Sequence, residues 1–277
     1  MAISFKDKVA IVTGAGGGLG RAHALHLAKL GAKVVVNDLG GSLDGSGGNS
    51  AAAEKVVAEI TQAGGEAIAN GASVSDDAGV AHLIKQTMDK WGRIDVLIAN
   101  AGILRDKSFG KMELKDFEAV VNVHLMGTVK PAKAVWEIMK AQSYGRIVVT
   151  TSSTGLYGNF GQTNYGAAKL SLVGLMNSLK LEGAKDNIRV NGICPVAATR
   201  MTEALMPPAL LEMLKPDIWL AQHNEYYDLE GKRKRAATEG VKAWMDPEGY
   251  RRWVSEKKRD FEDQVDEELG VPKPAAK

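Results

Sequence analysis

"KVAIVTGAGGGLGRAHALHLAKLGAKVVVND", Lys8 to Asp38, decides the fold. Its first seven residues, "KVAIVTG", are a short apolar run with β-branched side chains, closed by glycine, and read as a buried strand. "GRAHALHLAKLGA" follows with apolar residues at helical spacing and ends at Gly31, a helix stop. "KVVVND" is again a short buried strand. Strand, glycine-rich turn, helix and strand make one crossover unit, and a crossover leaves its two strands parallel.

The pattern repeats outward. "SAAAEKVVAEITQAGG" reads as a helix with a glycine stop and "EAIAN" as a third strand. "DAGVAHLIKQTMDKWGR" is a helix and "IDVLIAN" a fourth strand. One long helical stretch is predicted from Glu113 to Ala141. "GRIVVTTS" is a fifth strand, the region around Tyr165 a helix, and "NIRVNGICP" a sixth strand. The fold class is therefore α/β, a doubly wound parallel sheet of Rossmann-like type. Such sheets bind ligands beyond the carboxyl ends of their strands. "LGGSLDGSGGNS" (Leu39 to Ser50) lies between the second strand and its helix, and is expected to be a surface loop at that end.

Composition narrows the function classes. Of the 277 residues 45% are hydrophobic and 25% charged, as in soluble globular proteins, and a net charge of +2 gives no reason to expect nucleic acid as a partner. Cys194 is the single cysteine, so no internal disulfide can form. The start, "MAISFKDKVAIVTG", lacks the apolar core of a secretory signal, and no apolar run approaches the ~18 residues of a membrane span. A soluble, cytoplasmic protein with no membrane partner is the expectation. The final "PKPAAK" is not a Ser-Lys-Leu-type address.

Two features of the opening stretch point to a ligand. "TGAGGGLG" joins the first strand to the first helix, and its glycines allow positive φ and close backbone approach. The helix behind it offers free N–H groups and a positive dipole end to a pyrophosphate. Gly14, Gly18, Leu19 and Gly20 are the expected contacts. Asp38 ends the second strand, where an acid accepts hydrogen bonds from the ribose hydroxyls of an adenosine. A carboxylate there repels a 2′-phosphate, and no arginine stands nearby to receive one. The expected cofactor is therefore NAD rather than NADP.

These pieces and their order resemble the short-chain dehydrogenases/reductases, over roughly Lys6 to Pro216. "TGAGGGLG" looks like that family's glycine loop. "ANAG" (Ala99 to Gly102) resembles its Asn-Asn-Ala-Gly, with alanine in first place, and "YGAAK" matches its Tyr-x-x-x-Lys. Ser152 precedes Tyr165 at the spacing of the family's catalytic serine. The resemblance implies a hydride transfer between a secondary alcohol or ketone and the nicotinamide. Tyr165 would be the general acid/base, and Ser152 would donate to the developing oxyanion. Lys169, on the same helical face as Tyr165, would bind the nicotinamide ribose and lower the pKa of the phenol. Asn100, Ala101, Gly102 and Thr199 are implied as further cofactor contacts. Ser73 and Val74 stand where the family brackets adenine with Asp-Val.

The family often adds an asparagine three residues before a glycine of the long helix. Here the glycine is Gly127 and the residue is His124, while Asn122 is out of phase. His124 is either a structural histidine or a backbone-stabilising or proton-relay partner. Together "VVVNDLGG", "NAGILRDKSF", "VHLMG" and "SSTGLYGNFGQTNYGAAK" resemble the dehydrogenase domain of the multifunctional β-oxidation enzymes. That likeness implies oxidation of (3R)-hydroxyacyl-CoA to 3-ketoacyl-CoA, so an acyl-CoA is the expected small-molecule partner. A 3-ketoacyl or steroid-type reductase is the alternative within the class. A catalytically dead nucleotide-binding protein is the alternative outside it. Cys194 reads as a packed strand-end residue.

The likeness stops near Pro216. Residues 217–277 are rich in charges of both signs and read as a helical tail, foreign to the family and similar to the C-terminal end of one metallo-β-lactamase subclass. His223 would match a zinc ligand there, but no His-x-His-x-Asp motif accompanies it, so no metal is expected. The division is thus 1–216, a cofactor-binding domain, and 217–277, the tail. The family's seventh strand is expected to be missing, and with it one dimer interface. A homodimer through the helices carrying His124 and Tyr165 is the expected assembly.

Overall fold

The computed structural model describes residues 4–195. The expectations for Thr199, for the seventh strand, for the 216/217 boundary and for the tail with His223 lie outside them. Within them six strands form one parallel sheet: β1 (Val9–Thr13), β2 (Lys33–Asn37), β3 (Glu66–Asn70), β4 (Val96–Ala99), β5 (Gly145–Thr150) and β6 (Ile188–Ile193). Their order is β3-β2-β1-β4-β5-β6. The order reverses between β1 and β4, and that switch point opens a crevice above the strand ends.

Helices α1 (Gly18–Lys29), α2 (Ala51–Gln62), α3 (Asp77–Trp91), α4 (Leu114–Val121), α5 (Gly127–Ala141), α6 (Ser153–Tyr157) and α7 (Thr163–Gly183) complete the described part. Strand residues alternate between two cores, as side chains of period two must. Ile11, Val35, Leu97 and Ile147 face one way, against Val135, Met139 and Leu172 of α5 and α7. Ala10, Val12, Val34 and Ile98 face the other way, against Ala24, Leu27, Val56 and Ile60 of α1 and α2. Both faces of β1 are covered, which is why all five of its residues are buried and its sequence is apolar up to Thr13.

Local signals set the element ends. Asp76 caps α3 by accepting the Gly79 N–H at 2.7 Å. Gly92 ends that helix at φ +68, and Gly31 follows α1 at φ +96, conformations that a Cβ disfavours. Among the described residues no helix is long and apolar enough to cross a membrane.

Two sequence expectations need correction. The helix predicted from Glu113 to Ala141 is interrupted: Asn122–Met126 form a π-helical turn between α4 and α5. The apolar pattern runs straight through it, and pattern alone does not reveal an inserted residue. Cys194, just beyond β6, is an exposed free thiol rather than a packed residue.

Candidate active site

The crevice at the switch point is a cleft of about 420 Å³. Gly14, Gly18, Leu19, Asp38, Ser73, Val74, Asn100, Ala101 and Gly102 all line it. Gly20 lies behind the wall, where a Cβ would meet the Gly14 carbonyl and the Asn100 side chain. Gly14 sits at φ +63, and a Cβ there would stand 2.8 Å from the Ala101 Cα. The turn can only be glycine because two backbone segments touch at this point. Gly17, the N-cap of α1, has extended backbone and no side chain caps the helix. The first N–H groups of α1 are thus left for a ligand.

"ANAG" braces the turn from the β4 side. Thr13 Oγ1 accepts the N–H groups of Asn100 and Ala101 at 3.0 and 3.1 Å. The Asn100 amide donates to the carbonyls of Thr13 and Gly14 at 3.1 and 3.2 Å. Asp38 follows β2 directly and accepts the N–H groups of Gly16 and Gly40, each at 2.7 Å. It holds the phosphate-type turn and the start of the glycine-rich loop together while one face stays on the cleft.

That loop is more than a surface connection. Ser42, Leu43 and Gly45 line the cleft, as do Asn37, Ile103 and Val123, none of them an expected contact from the sequence. The Leu43 carbonyl accepts the Leu104 N–H at 2.9 Å, and a Cβ on Gly45 would press on Ile103 at 3.1 Å. Only the run of glycines hinted at so close a packing.

Ser152, Lys169 and His124 gather around Tyr165, and His124 touches Gly102 and Ile103 of the cleft wall. Ser152 is the N-cap of α6, and its Oγ accepts the Thr154 N–H at 3.2 Å. Tyr165 and Lys169 are one turn apart on α7. Lys169 is 3% exposed, donates from Nζ to the Thr150 carbonyl at 2.6 Å, and stands 5.5 Å from the centre of the Tyr165 ring. Burial pushes its pKa down to about 7. The expected lowering of the Tyr165 pKa by Lys169 together with the oxidised nicotinamide belongs to the cofactor-bound state; without the cofactor the direction is upward. Burial pushes the Tyr165 phenol up, the Ser152 hydroxyl opposes this in part, and Asp106 and Cys194 add to the rise. The Lys169 ammonium is aimed at the Thr150 carbonyl rather than at the phenol.

His124 occupies the π-turn and is buried. Its ring lies edge-on to Tyr165, centroids 5.2 Å apart. Nε2 is 2.8 Å from the Ile103 carbonyl and 3.1 Å from the Ile103 N–H, so it pairs with one or the other according to tautomer. Nδ1 has no partner among the described residues. Burial, with Lys169 nearby, holds the His124 pKa down to about 3, so the ring is neutral. A Cβ at Gly102 would run into this ring. The side chain therefore wedges the "ANAG" turn against the helix of Tyr165.

Residues 8–208 match the short chain dehydrogenase family. The chain is 56% identical over 212 residues to a short-chain type dehydrogenase/reductase of Mycobacterium tuberculosis, covering 76% of this chain and 74% of that protein. It is also 56% identical over 217 residues to peroxisomal multifunctional enzyme A of Dictyostelium discoideum, covering 78% of this chain. Only 48% of that longer enzyme is spanned. Among solved structures, 7α-hydroxysteroid dehydrogenase, complexed with NADH and 7-oxo glycochenodeoxycholic acid, aligns with a TM-score of 0.69 at 30% identity, covering 76% of this chain and 79% of that one.

Proposed function

The chain belongs to the short chain dehydrogenase family, and from that premise we propose that it is an NAD-dependent oxidoreductase that oxidises (3R)-hydroxyacyl-CoA to 3-ketoacyl-CoA. The observation carrying this reading is the cluster of Ser152 and Lys169 around Tyr165, joined through His124 to the wall of a cleft whose glycine turn and uncapped helix suit a dinucleotide. The cleft fits a nicotinamide dinucleotide: its turn has no room for a Cβ at Gly14, Gly16 or Gly20, its helix N-terminus is uncapped, and Asp38 flanks the adenosine end. Asp38 supports NAD, because a carboxylate there disfavours a 2′-phosphate. The acyl-CoA substrate is supported by the motifs shared with the multifunctional β-oxidation enzymes and by the 56% identity to the Dictyostelium enzyme.

Bound nicotinamide supplies the hydride acceptor or donor. The protein supplies the proton chemistry. The Ser152 hydroxyl donates to the substrate oxygen, which gathers negative charge in the transition state. Tyr165 takes the alcohol proton during oxidation and returns it during reduction. A phenol whose pKa is raised by burial is ready for the acid role. The base role needs the positive charge of Lys169 to stabilise the phenolate, and a lysine titrating near 7 is sensitive to pH in that role.

The likeness to a hydroxysteroid dehydrogenase favours one second reading, a steroid-type substrate. A homodimer through the helices carrying His124 and Tyr165 belongs to the proposal, and light scattering that gives a monomer or tetramer contradicts it. The function itself is tested by following NADH absorbance with (3R)- and (3S)-hydroxyacyl-CoAs and steroid alcohols, each with NAD and with NADP. NADH formed from the (3R)-thioesters is the expected result. Turnover confined to steroids or to NADP contradicts it. NAD binding without turnover of any alcohol marks a dead nucleotide-binding protein.

A further inference from the structure

Asn164, immediately before Tyr165, is fully buried in the first turn of α7. Its Oδ1 accepts the backbone N–H of Tyr165 at 2.7 Å. Its Nδ2 donates to the backbone carbonyl of Arg105 at 2.9 Å. A single carboxamide thus satisfies an orphan donor of the helix start and reaches across to an irregular strap, residues 103–107.

The strap is fixed on its other side. Leu104 N–H donates to the Leu43 carbonyl at 2.9 Å, and Arg105 Nε to the Asp44 carbonyl at 3.0 Å. Ile103 pairs through its backbone with His124. Leu43 and Ile103 are themselves wall residues of the cleft. Two more bonds bind the strap to the segment before Tyr165: Gln162 Nε2 to Asp106 Oδ2 at 2.7 Å, and Lys107 N–H to the Gly161 carbonyl at 2.9 Å.

We infer that Asn164 is a positioning residue that sets the Tyr165 hydroxyl in register with the cofactor wall by tying the first turn of α7 to this strap. The inference rests on the acid/base reading of Tyr165. Asn164 is fully buried and does not line the cleft. Its effect falls on the alignment of the phenol, where an error near 1 Å costs on the order of a hundredfold in rate.

The test uses the full chain, acetoacetyl-CoA and NADH, with Asn164→Ala, Asn164→Asp and Tyr165→Phe. Asn164→Ala is expected to lower kcat about 10- to 100-fold while the NADH dissociation constant stays within about twofold. In Asn164→Asp a carboxylate faces the Arg105 carbonyl at neutral pH. Once protonated its O–H donates there, so its kcat relative to wild type rises as pH falls. Asp106, whose carboxyl burial pushes up, is present in both proteins and cancels in the ratio. Unchanged kcat in a folded Asn164→Ala protein, a parallel loss of NADH affinity, or an Asn164→Asp ratio flat with pH overturns the inference. Turnover retained by Tyr165→Phe instead removes the reading beneath it. If Asn164→Ala does not fold, the Asn164→Asp ratio decides alone.

Discussion

The His124 ring stands edge-on to the Tyr165 ring, with centroids 5.2 Å apart and planes at 88°. This histidine is buried, neutral and held by the Ile103 backbone, with a pKa pushed down to about 3 from 6.5. Between those values the unfolded chain takes up a proton that the folded chain refuses. Its share of stability is therefore whole above about pH 6.5 and falls as pH drops, by up to about 1.4 kcal/mol per pH unit. Urea midpoints measured from pH 7 to pH 5 should fall in the wild type and fall less steeply in His124→Asn. Equal slopes contradict the buried neutral ring.

Lys169 gives the mirror experiment on the alkaline side. Burial lowers its pKa to about 7, so between 7 and about 10.4 the unfolded chain holds a proton that the folded chain has lost. Stability should rise with pH from 7 to 9 in the wild type. In Lys169→Met that rise should be missing, whatever the change in absolute stability from leaving the Thr150 carbonyl unpaired. The same slope in both proteins contradicts the assignment.

Gly14 and Gly47 separate backbone strain from ligand contact. Both have positive φ, +63 and +71, so alanine at either costs on the order of 1–2 kcal/mol. Only Gly14 also has a backbone atom 2.8 Å from the position of a Cβ, while Gly47 faces open space. Gly14→Ala should weaken NADH binding at least about tenfold, since the turn itself must shift, and Gly47→Ala should leave it nearly unchanged. Fluorescence titration reads both. Equal losses contradict the role of the Gly14 turn.

Away from the cleft, Asp95 is buried against Arg93, the Val9 N–H and Lys8. Burial raises its pKa, but these partners outweigh it and hold the carboxyl below the usual range. Asp95→Asn should cost about 1–3 kcal/mol of unfolding free energy and spare kcat. A loss of kcat without a loss of stability contradicts a purely structural Asp95.

Much of this was legible from residues 8–38 alone. Alternation of apolar runs with amphipathic helices requires parallel strands, and the glycine turn and Asp38 lie where such a sheet opens. Three things were not legible. The π-turn holding His124 preserves the apolar pattern on either side, so periodicity passes over it. The strap at Arg105 acquires its meaning from bonds to Asp44 and Asn164, far away in sequence. The direction of the Tyr165 shift depends on how burial compares with a nearby charge, and spacing on a helix says nothing about burial.

The central claim is that the Tyr165 hydroxyl moves the proton. Its most direct test compares Tyr165→Phe with the wild type in single-turnover reduction of acetoacetyl-CoA by NADH, with NADH affinity measured on the same samples. Loss of the phenolic O–H should slow the chemical step at least about 100-fold, as for a general acid, while NADH binds within about twofold of wild type. A folded Tyr165→Phe protein that oxidises NADH at the wild-type rate would contradict the account.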